Sequence, residues 1–461
     1  MKTKTTVLTT LTLALTACQA LPTTSQPAKT SPNLQATQAT ADTTAPYLTK
    51  LDNGLTVIIK QDTRAPIVMT QIWYNVGSAD EPLGKGGISH YLEHLMFKDS
   101  VGVSGNDYQR LMSHFGSQNN AFTTDEHTVY YESLPANQFP LALQIEANRM
   151  KNLLLKTDEV ATERQIIKEE RRLRTEDNPL AKAYEEFLQQ AMPNSPKGRP
   201  IIGSMADLDN ITLDDLQQWY RTWYAPNNAV LVLVGDISPE AAMPWVKKYF
   251  APLPALPLPQ RVNLDETSHR GYKELQSTQN VEVPSLLLGF NVPALGSKMG
   301  NEAYALSLLS DIADGGLSAR FEQNLVRKSQ KLNSVSVSYD MLAKGDTVFS
   351  IFATPRANVS LQEAQEAILS ELWQIYQNPI KEEELARSRA SLLSSLVFAN
   401  DSIDNQANTL GLLASMGLPL DTLQTLPNKL DTISQDDIKN VGKKYLNKDN
   451  LTSVHIIPKQ P

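Results

Sequence analysis

Cysteine is almost absent from this chain of 461 residues, because Cys18 is its only cysteine. One cysteine cannot form an intrachain disulfide or a paired-cysteine motif, so the folded part must be stabilised by its hydrophobic core. The sequence also lacks a glycine-rich phosphate-binding loop and a nucleophile elbow around a serine. The kinds of chemistry that those motifs carry are therefore unsupported.

The chain has fewer basic than acidic residues, with 42 Lys and Arg residues against 50 Asp and Glu residues and a formal net charge of −8. No dense stripe of Lys and Arg with interleaved aromatic residues is present. Because nucleic-acid binding requires basic clusters that replace the counterions of phosphates, we expect no nucleic-acid partner. The hydrophobic content of 41% and the length predict a globular protein of two or three domains with a sizeable core.

The apolar stretch near the N-terminus is too short to cross a membrane permanently. It covers residues 7–17, is diluted by threonine and follows two lysines, which is the pattern of a cleaved export signal. Residues 15–18 (LTAC) resemble a bacterial lipobox, in which the cysteine becomes the lipidated first residue of the mature protein. We therefore predict a signal peptide over residues 1–17 and lipidation of Cys18. The alternative is a cleaved signal with an incidental cysteine.

Residues 18–46 are rich in Thr, Ala, Gln, Ser and Pro and contain almost no large apolar residues. Such a segment cannot bury enough apolar surface to fold, so we predict a flexible tether after the lipidated cysteine. The residue after the cysteine is Gln19 and not aspartate, which by resemblance to bacterial lipoproteins favours the outer membrane. The expected location is the bacterial cell envelope, with the folded part anchored by lipid and facing the periplasm.

The remaining sequence contains an internal echo. Residues 211–216 (ITLDDL) lead through a predicted helix to Tyr224 and a strand, and residues 433–438 (ISQDDI), 222 positions later, lead in the same way to Tyr445 and a strand. Both helices begin with a hydroxyl residue and an acid three positions on, which is a helix-start signal. An echo at this offset is typical of two related halves of similar length.

Strands and helices mixed without regular alternation favour two α+β domains over a doubly wound sheet. We predict a first domain at residues 47–250, a linker with a Pro/Leu-rich start at 251–269, and a second domain at 270–461. The elements predicted in the first domain are a hairpin at 47–60, strands at 66–76, 117–123, 127–134 and 229–234, and helices at 86–97, 106–115, 137–153, 157–176, 179–191 and 213–224.

His90, Glu93 and His94 lie at positions i, i+3 and i+4 of a predicted helix, so their side chains share one face. Two imidazoles one turn apart can bind one zinc ion, and Glu93 is then placed to take a proton from the water that the metal activates. The alternative is a surface helix with two solvated histidines. A catalytic zinc site also needs a third protein ligand, for which we expect an acid on another segment.

The predicted helix at 157–176 offers six acids as third ligand, and their spacing alone does not choose among them. They are Asp158, Glu159, Glu163, Glu169, Glu170 and Glu176. Basic residues lie among them, so most of these acids are expected on a solvated surface. The other histidines, His114, His127, His269 and His455, lack ligand spacing to one another.

Several short segments accompany the histidine motif HYLEH at 90–94. In chain order they are YNVGS at 74–78, Asp80-Glu81, Gly86-Gly87, NAFT at 120–123, ERQIIKEE at 163–170, DNP at 177–179, IG at 202–203 and YAPNN at 224–228. Together with the motif they resemble the insulinase/pitrilysin family of zinc metallopeptidases, which includes the mitochondrial processing peptidases. The resemblance extends from about residue 47 to residue 457.

The resemblance implies an α+β fold of two homologous processing-peptidase-like domains, the first catalytic and zinc-binding, the second substrate-binding and inactive. The metal-binding glutamate of the family lies about 76 residues after the second histidine, which selects Glu170 as the third ligand of Zn²⁺ beside His90 and His94. Glu163, seven residues earlier, matches an acid that supports the site without binding the metal. It joins Glu93 among the predicted catalytic residues.

The resemblance also implies that Asn120 and Ala121 lie on an edge strand beside the zinc, where an extended peptide can bind by strand addition. In many relatives the second domain supplies an arginine and, seven residues later, a tyrosine that hold the substrate. Arg327 matches the arginine. Ser334 stands at the position of the tyrosine, however, and Tyr339 lies five residues further.

At this length the chain corresponds to one half of the clamshell that the family forms. We therefore expect a homodimer, or a heterodimer with a related subunit that carries an Arg/Tyr pair, acting on a peptide substrate. The expected function is a zinc-dependent endopeptidase that cleaves peptides or unfolded protein segments in the periplasm. The alternatives are a non-catalytic assembly subunit on the same scaffold and a zinc hydrolase with a non-peptide substrate. The full set of predicted ligands favours catalysis.

Replacing Cys18 with serine should release the protein from the membrane, because serine cannot carry the lipid that anchors the predicted tether. The measurement is the partition of wild type and Cys18→Ser between the membrane and soluble fractions of the bacterium that produces them. Unchanged membrane association of Cys18→Ser would contradict lipidation.

Overall fold

The computed structural model describes residues 45–266, 271–297, 300–399 and 401–459, without the side chains of residues 396–399. The predicted signal peptide, Cys18 and nearly all of the predicted tether lie outside the described residues, as does His269. The described residues belong to one compact unit. None of the described helices is long and apolar enough to cross a membrane.

The first half of the chain contains six strands and eight α-helices within the described residues. The strands are β1 (Tyr47–Lys50), β2 (Thr56–Gln61), β3 (Ile67–Tyr74), β4 (Gln118–Thr123), β5 (Thr128–Pro135) and β6 (Ala229–Gly235). The helices are α1 (Ile88–Leu95), α2 (Gly105–His114), α3 (Phe139–Asn152), α4 (Thr157–Arg171), α5 (Pro179–Ala191), α6 (Met205–Asn210), α7 (Leu213–Trp223) and α8 (Pro239–Phe250).

These six strands form one sheet in the order β1-β2-β6-β3-β5-β4. β2 and β6 run parallel, whereas β3 is antiparallel to both of its neighbours, β6 and β5. Every residue of β6 (AVLVLVG) is buried, as expected for a central strand covered on both faces. β4 pairs only with β5 and is the last strand of the sheet, so it presents an edge.

The second half contains five strands and six α-helices within the described residues. The strands are β7 (Lys273–Gln279), β8 (Ser285–Pro293), β9 (Leu332–Ser338), β10 (Asp346–Pro355) and β11 (Leu451–Pro458). The helices are α9 (Glu302–Asp314), α10 (Leu361–Gln377), α11 (Glu382–Ala399), α12 (Ile403–Met416), α13 (Leu426–Thr432) and α14 (Gln435–Tyr445).

The second sheet repeats the topology of the first. Its order, β7-β11-β8-β10-β9, corresponds to β2-β6-β3-β5-β4, and the parallel pair stands at the same place in both sheets. The predicted helix starts are also equivalent, because the hydroxyls of Thr212 and Ser434 accept hydrogen bonds from the backbone amides of Asp215 and Asp437. The predicted α+β fold of two related domains is confirmed, while the domain boundaries stay a prediction.

The two halves exchange helices. α5, from the first half, buries Phe187 against Leu287 and Val454 of the second sheet. α12, from the second half, buries Leu410 in a cluster with Trp73 of the first sheet. Each exchanged helix thus covers one face of the sheet in the other half. The hydrophobic clusters at these two faces therefore contain residues from both halves.

The elements predicted in the first half are present, with ends shifted by a few residues. The helix predicted at 157–176 is α-helical only to Arg171 and continues as a π-helical segment, Arg172–Glu176. Two helices, α6 and α8, were not predicted. Pro244 inside α8 breaks the usual sequence pattern of a helix. The predicted linker contains no helix or strand over its described residues, 251–266.

Gly411 lies where α12 approaches β3, and a Cβ atom there would lie 2.2 Å from the ring of Trp73. Gly411→Ala should lower the free energy of unfolding by about 1–3 kcal/mol because of this overlap, despite the better helix propensity of alanine. Urea unfolding of the two proteins measures the difference. In a Trp73→Leu background the substitution should have a much smaller effect. An equal effect in both backgrounds would contradict this helix contact.

Candidate metal centre

The helix that carries the histidines starts at a close approach between two loops. α1 follows Gly87, whose φ is 88°, and a Cβ atom there would lie 2.5 Å from the carbonyl oxygen of Ile202. Only glycine tolerates both this backbone conformation and this contact. One face of α1 is fully buried in the core of the first half through Leu92 and Leu95. The motif histidines lie on another face, toward α4.

His90, His94 and Glu170 lie together. The Nε2 atoms of His90 and His94 are 3.6 and 3.4 Å from the same atom, Oε2 of Glu170. Ligand atoms bound at about 2.0–2.1 Å to one tetrahedral zinc ion lie about 3.3–3.4 Å apart, so these three atoms fit around such an ion. Oε2 of Glu170 is buried and accepts no hydrogen bond from the described residues. Within the described ranges, this trio is the group found with metal-binding geometry.

Glu163 holds the ring of His94 from the side away from Glu170. Its Oε2 atom is 3.1 Å from Nδ1 of His94, and its other oxygen is 2.5 Å from the ammonium of Lys98. When Nδ1 of His94 carries the proton and donates it to Glu163, Nε2 is available to a metal and the plane of the ring is fixed. Burial alone would lower the pKa of His94, but the neighbouring carboxylates of Glu163 and Glu170 raise it to about 9. A metal ion held by Nε2 would require that nitrogen to be unprotonated.

Of the six acids on the predicted helix, Glu163 and Glu170 are the two that contact the motif histidines. Burial opposes ionisation of Glu170, but His94, His90 and Arg174 lower its pKa, and Arg174 lies 2.8 Å from Oε1. Three other acids of the predicted helix form ion pairs elsewhere, among them Glu159 with Lys156, Glu169 with Arg172, and Glu176 with Lys182. The helix thus turns two carboxylates inward, seven residues apart, and pairs others at its surface.

Glu93 shares α1 with the histidines but is not one of the three grouped residues. It is buried, and the hydroxyl of Thr123 at the end of β4 donates to its Oε2 atom. Burial raises the pKa of Glu93 to about 7, although this hydrogen bond and His94 oppose the shift. A carboxylate with a pKa near neutrality can accept and return a proton at neutral pH.

Asn120 and Ala121 lie on β4, the edge strand predicted beside the zinc. Asn120 is opposite Tyr131 of β5, and its exposed side chain accepts a hydrogen bond from the backbone amide of Ala121. The contact between Thr123 and Glu93 brings the end of β4 to the metal centre. The placement of these two residues follows the prediction, and their role in substrate binding stays a prediction.

Three polar contacts of the centre were not predicted from the sequence. They are Thr123 with Glu93, Lys98 with Glu163, and Arg174 with Glu170. Arg174 carried a signal, since it follows Glu170 by four residues on the predicted helix, a spacing that places side chains on one helix face. Lys98 lies beyond the end of α1, and Thr123 ends the NAFT segment, so neither contact has a signal in the local spacing.

The structure does not bring Arg327 into contact with the metal centre. Arg327 lies on a π-helical segment, Glu322–Lys328, and its ion pair is with Glu322 of the same segment. Ser334 is exposed on β9, and the hydroxyl of Tyr339 donates to the carbonyl oxygen of Pro293. Within one chain, neither Ser334 nor Tyr339 completes an arginine–tyrosine pair at the metal centre.

The other histidines have ordinary surroundings. His127 is buried with its ring 4.8 Å from that of Trp73, and burial lowers its pKa to about 3. His455 lies 3.0 Å from the side-chain oxygen of Gln365. His114 is exposed at the end of α2.

The second half has no counterpart of the metal centre among its described residues. α9 follows β8 as α1 follows β3, so the two helices are equivalent in the repeat. The side chains of Leu309, Ile312 and Ala313 on α9 are fully buried in the core of the second half. Apolar packing there replaces the contact between imidazoles and carboxylates.

Comparison with known proteins gives two family matches. Residues 56–205 match the model described as Insulinase (Peptidase family M16), and residues 210–392 match the model described as Peptidase M16 inactive domain. Among curated proteins, the zinc protease PqqE of Helicobacter pylori is 28% identical over 417 residues, which cover 88% of this chain and 92% of that protein.

Two solved structures extend the comparison. A protease from Helicobacter pylori has a TM-score of 0.83 at 26% identity and covers 90% of this chain and 100% of its own. The periplasmic protease PqqL from Escherichia coli has a TM-score of 0.74 at 22% identity, covering 89% of this chain but 47% of that chain. The second likeness, at this identity, concerns the fold alone.

Glu163→Gln should weaken zinc binding about 10–100-fold, because the amide holds the ring of His94 without the charge that raises the basicity of the imidazole. The matched control is Glu169→Gln on the exposed side of the same helix, which should bind zinc like the wild type. Competition with a chromogenic chelator measures both dissociation constants. Equal affinities of the two variants would contradict the contact between Glu163 and His94.

Proposed function

The chain belongs to the insulinase family, peptidase family M16, and from this membership and the geometry of the metal centre we propose that it is a zinc-dependent endopeptidase. Peptidase chemistry and a zinc cofactor are the properties that relatives named as zinc proteases carry. The proposal assigns His90, His94 and Glu170 as the zinc ligands and Glu93 as the general base.

One observation carries the proposal. Glu93 lies within one turn of both histidines, yet its carboxylate is held by Thr123 and not by the three residues that fit a metal. If Glu93 were a fourth ligand, the four coordination positions of a tetrahedral zinc would all be filled by protein. A base beside three ligands instead leaves one position for water or substrate, which is the arrangement of a catalytic zinc site.

When bound, zinc supplies a Lewis acid that lowers the pKa of a water molecule to near 7 and polarises the carbonyl under attack. Glu93 takes the proton from the attacking water and returns it to the amide nitrogen that leaves. Thr123 holds one oxygen of Glu93 by its hydrogen bond. Glu163 keeps a proton on Nδ1 of His94, so that Nε2 presents its lone pair.

The edge strand β4 suggests how the substrate lies. An extended peptide that adds to this edge would run past Asn120 and Ala121, with its backbone hydrogen-bonded along the strand. Recognition by backbone hydrogen bonds tolerates many sequences but requires an extended chain. We therefore propose peptides or unfolded protein segments as substrates.

The assembly that we propose has two chains. This chain covers 47% of the Escherichia coli protease PqqL, a likeness of fold that is compatible with two such chains acting together. Arg327 pairs with Glu322 and does not contact the metal centre of its own chain, which supports the proposal that a second subunit supplies the arginine and tyrosine that hold the substrate. In a homodimer, or in a heterodimer with a related subunit, the second chain would form the other side of the substrate-binding space.

The location that we propose is the bacterial cell envelope, with Cys18 lipidated in the outer membrane and the peptidase facing the periplasm. The sequence pattern at residues 15–18 and the composition of residues 18–46 support this location. A non-catalytic assembly subunit is the alternative function. The intact set of His90, Glu93, His94 and Glu170 weighs against it, because a scaffold needs no general base.

Glu93→Gln should abolish cleavage of unstructured peptides, with a loss of at least about 10²-fold in kcat/KM, while zinc stays bound. The amide keeps the size of the side chain and removes the base. The experiment compares residues 19–461 of wild type and Glu93→Gln on a peptide mixture analysed by mass spectrometry, with and without a chelator.

Cleavage by the purified wild type would also show that any assembly it needs is a homo-oligomer. Cleavage that persists in Glu93→Gln would contradict the assignment of the base. A zinc-loaded wild type that cleaves nothing would point to a missing partner subunit or to a non-peptide substrate.

A further inference from the structure

The two histidines of the metal centre are held in different ways. Nδ1 of His94 lies 3.1 Å from a carboxylate oxygen of Glu163, whereas Nδ1 of His90 is buried and has no hydrogen-bond partner among the described residues. A metal-binding histidine usually donates its second ring nitrogen to a partner that fixes the ring. The position of His90 must therefore be fixed through its own backbone, at the start of α1.

The start of α1 cannot be capped by the residue that precedes the helix. Gly87 occupies that position, and its contact with the carbonyl oxygen of Ile202 leaves no room for a side chain. Serine, threonine and aspartate, which commonly cap helices, are thereby excluded from this position. The exposed amides of the first turn need an acceptor from elsewhere.

Glu81 supplies that acceptor from six residues upstream. The backbone amide of Gly87 donates to Oε2 of Glu81 at 2.7 Å, and the amide of Ser89 donates to Oε1 at 2.9 Å. The side chain is 4% exposed, so these hydrogen bonds are shielded from water.

Glu81 is itself held in place. Its carbonyl oxygen accepts a hydrogen bond of 2.8 Å from the guanidinium of Arg199. The intervening loop packs against residues 202–203, where a Cβ atom on Gly203 would lie 2.1 Å from the carbonyl oxygen of Gly86. Glu81 is therefore an anchored carboxylate that bridges a fixed loop and the first turn of α1.

We infer that Glu81 is a positioning residue of the metal centre, which fixes His90 by binding the two backbone amides at the start of its helix. This inference rests on the proposed zinc site and adds to it. A metal ligand must stand within about 0.2 Å of its ideal distance, so a small shift of the first turn weakens metal binding. Glu163 fixes His94 through its ring, and Glu81 fixes His90 through its backbone.

Glu81→Gln tests the inference, because the amide group has one acceptor oxygen and turns an N–H₂ donor toward the second backbone amide. The expected result is a dissociation constant for zinc about 10–100-fold above that of the wild type, measured on folded protein by chelator competition. The visible absorption bands of the Co²⁺-loaded protein should also shift, because they report ligand geometry.

The matched control is Asp437→Asn, which changes a carboxylate that accepts from a backbone amide at the start of α14, far along the chain from the metal centre. It should lower the melting temperature slightly and leave the zinc dissociation constant within about twofold of the wild type. A purely structural role for Glu81 would give this same pattern. That pattern in Glu81→Gln would overturn the inference.

If Glu81→Gln does not fold, Glu81→Asp is the variant in which zinc affinity is measured. It keeps the carboxyl group but is one methylene shorter, so it reaches only one of the two amides, and weaker zinc binding is again expected. Wild-type affinity in Glu81→Asp would overturn the inference. Because zinc affinity is measured without any peptide, this failure is distinct from a failure of the endopeptidase proposal, which would leave zinc bound and peptides uncut.

Discussion

The packing of α1 against α4 brings two imidazoles and three carboxylates into one poorly solvated place, and the rest of the site depends on this contact. Buried charged groups are tolerated only when they are paired. Lys98 pairs with Glu163, and Arg174 pairs with Glu170. What is left is one oxygen of Glu170 facing two Nε2 atoms. A divalent cation satisfies all three atoms at once, which is why a metal fits there better than a further ion pair.

The repeated topology of the two halves shows what this contact adds to the fold. Both halves place a helix after the third strand of the shared order, but α9 buries leucine, isoleucine and alanine where α1 presents imidazoles. The same topology thus forms in the second half with apolar packing on the equivalent helix. The exchanged helices, α5 and α12, tie the two halves into one unit. We propose that the polar site in the first half is retained for chemistry and not for stability.

Much of the fold and the core of the site could be predicted from the sequence, because the signals were local. The spacing of His90 and His94 fixes their common face, and the capping signals at Thr212 and Ser434 mark two equivalent helices. Glu170 could not be chosen by spacing, since six acids share its predicted helix; the resemblance selected it, and packing shows that it faces the histidines.

Other features left no local signal. An amphipathic helix has the same pattern whichever sheet it covers, so the exchange of α5 and α12 could not be predicted. Glu81 is one acid in a loop, and its role depends on the approach of Ile202 to Gly87, which excludes a side chain at the usual capping position. Thr123 contacts Glu93 only because the sheet places β4 beside α1.

The most direct test of the account is X-ray absorption at the zinc K-edge of the purified protein, with the metal content measured on the same sample. The account predicts one zinc per chain with four nitrogen or oxygen neighbours at about 2.0–2.1 Å and the outer-shell scattering of two imidazoles. Loss of one imidazole in His90→Ala and in His94→Ala would assign the ligands. A shell of oxygen atoms without imidazole scattering would contradict the proposed metal centre.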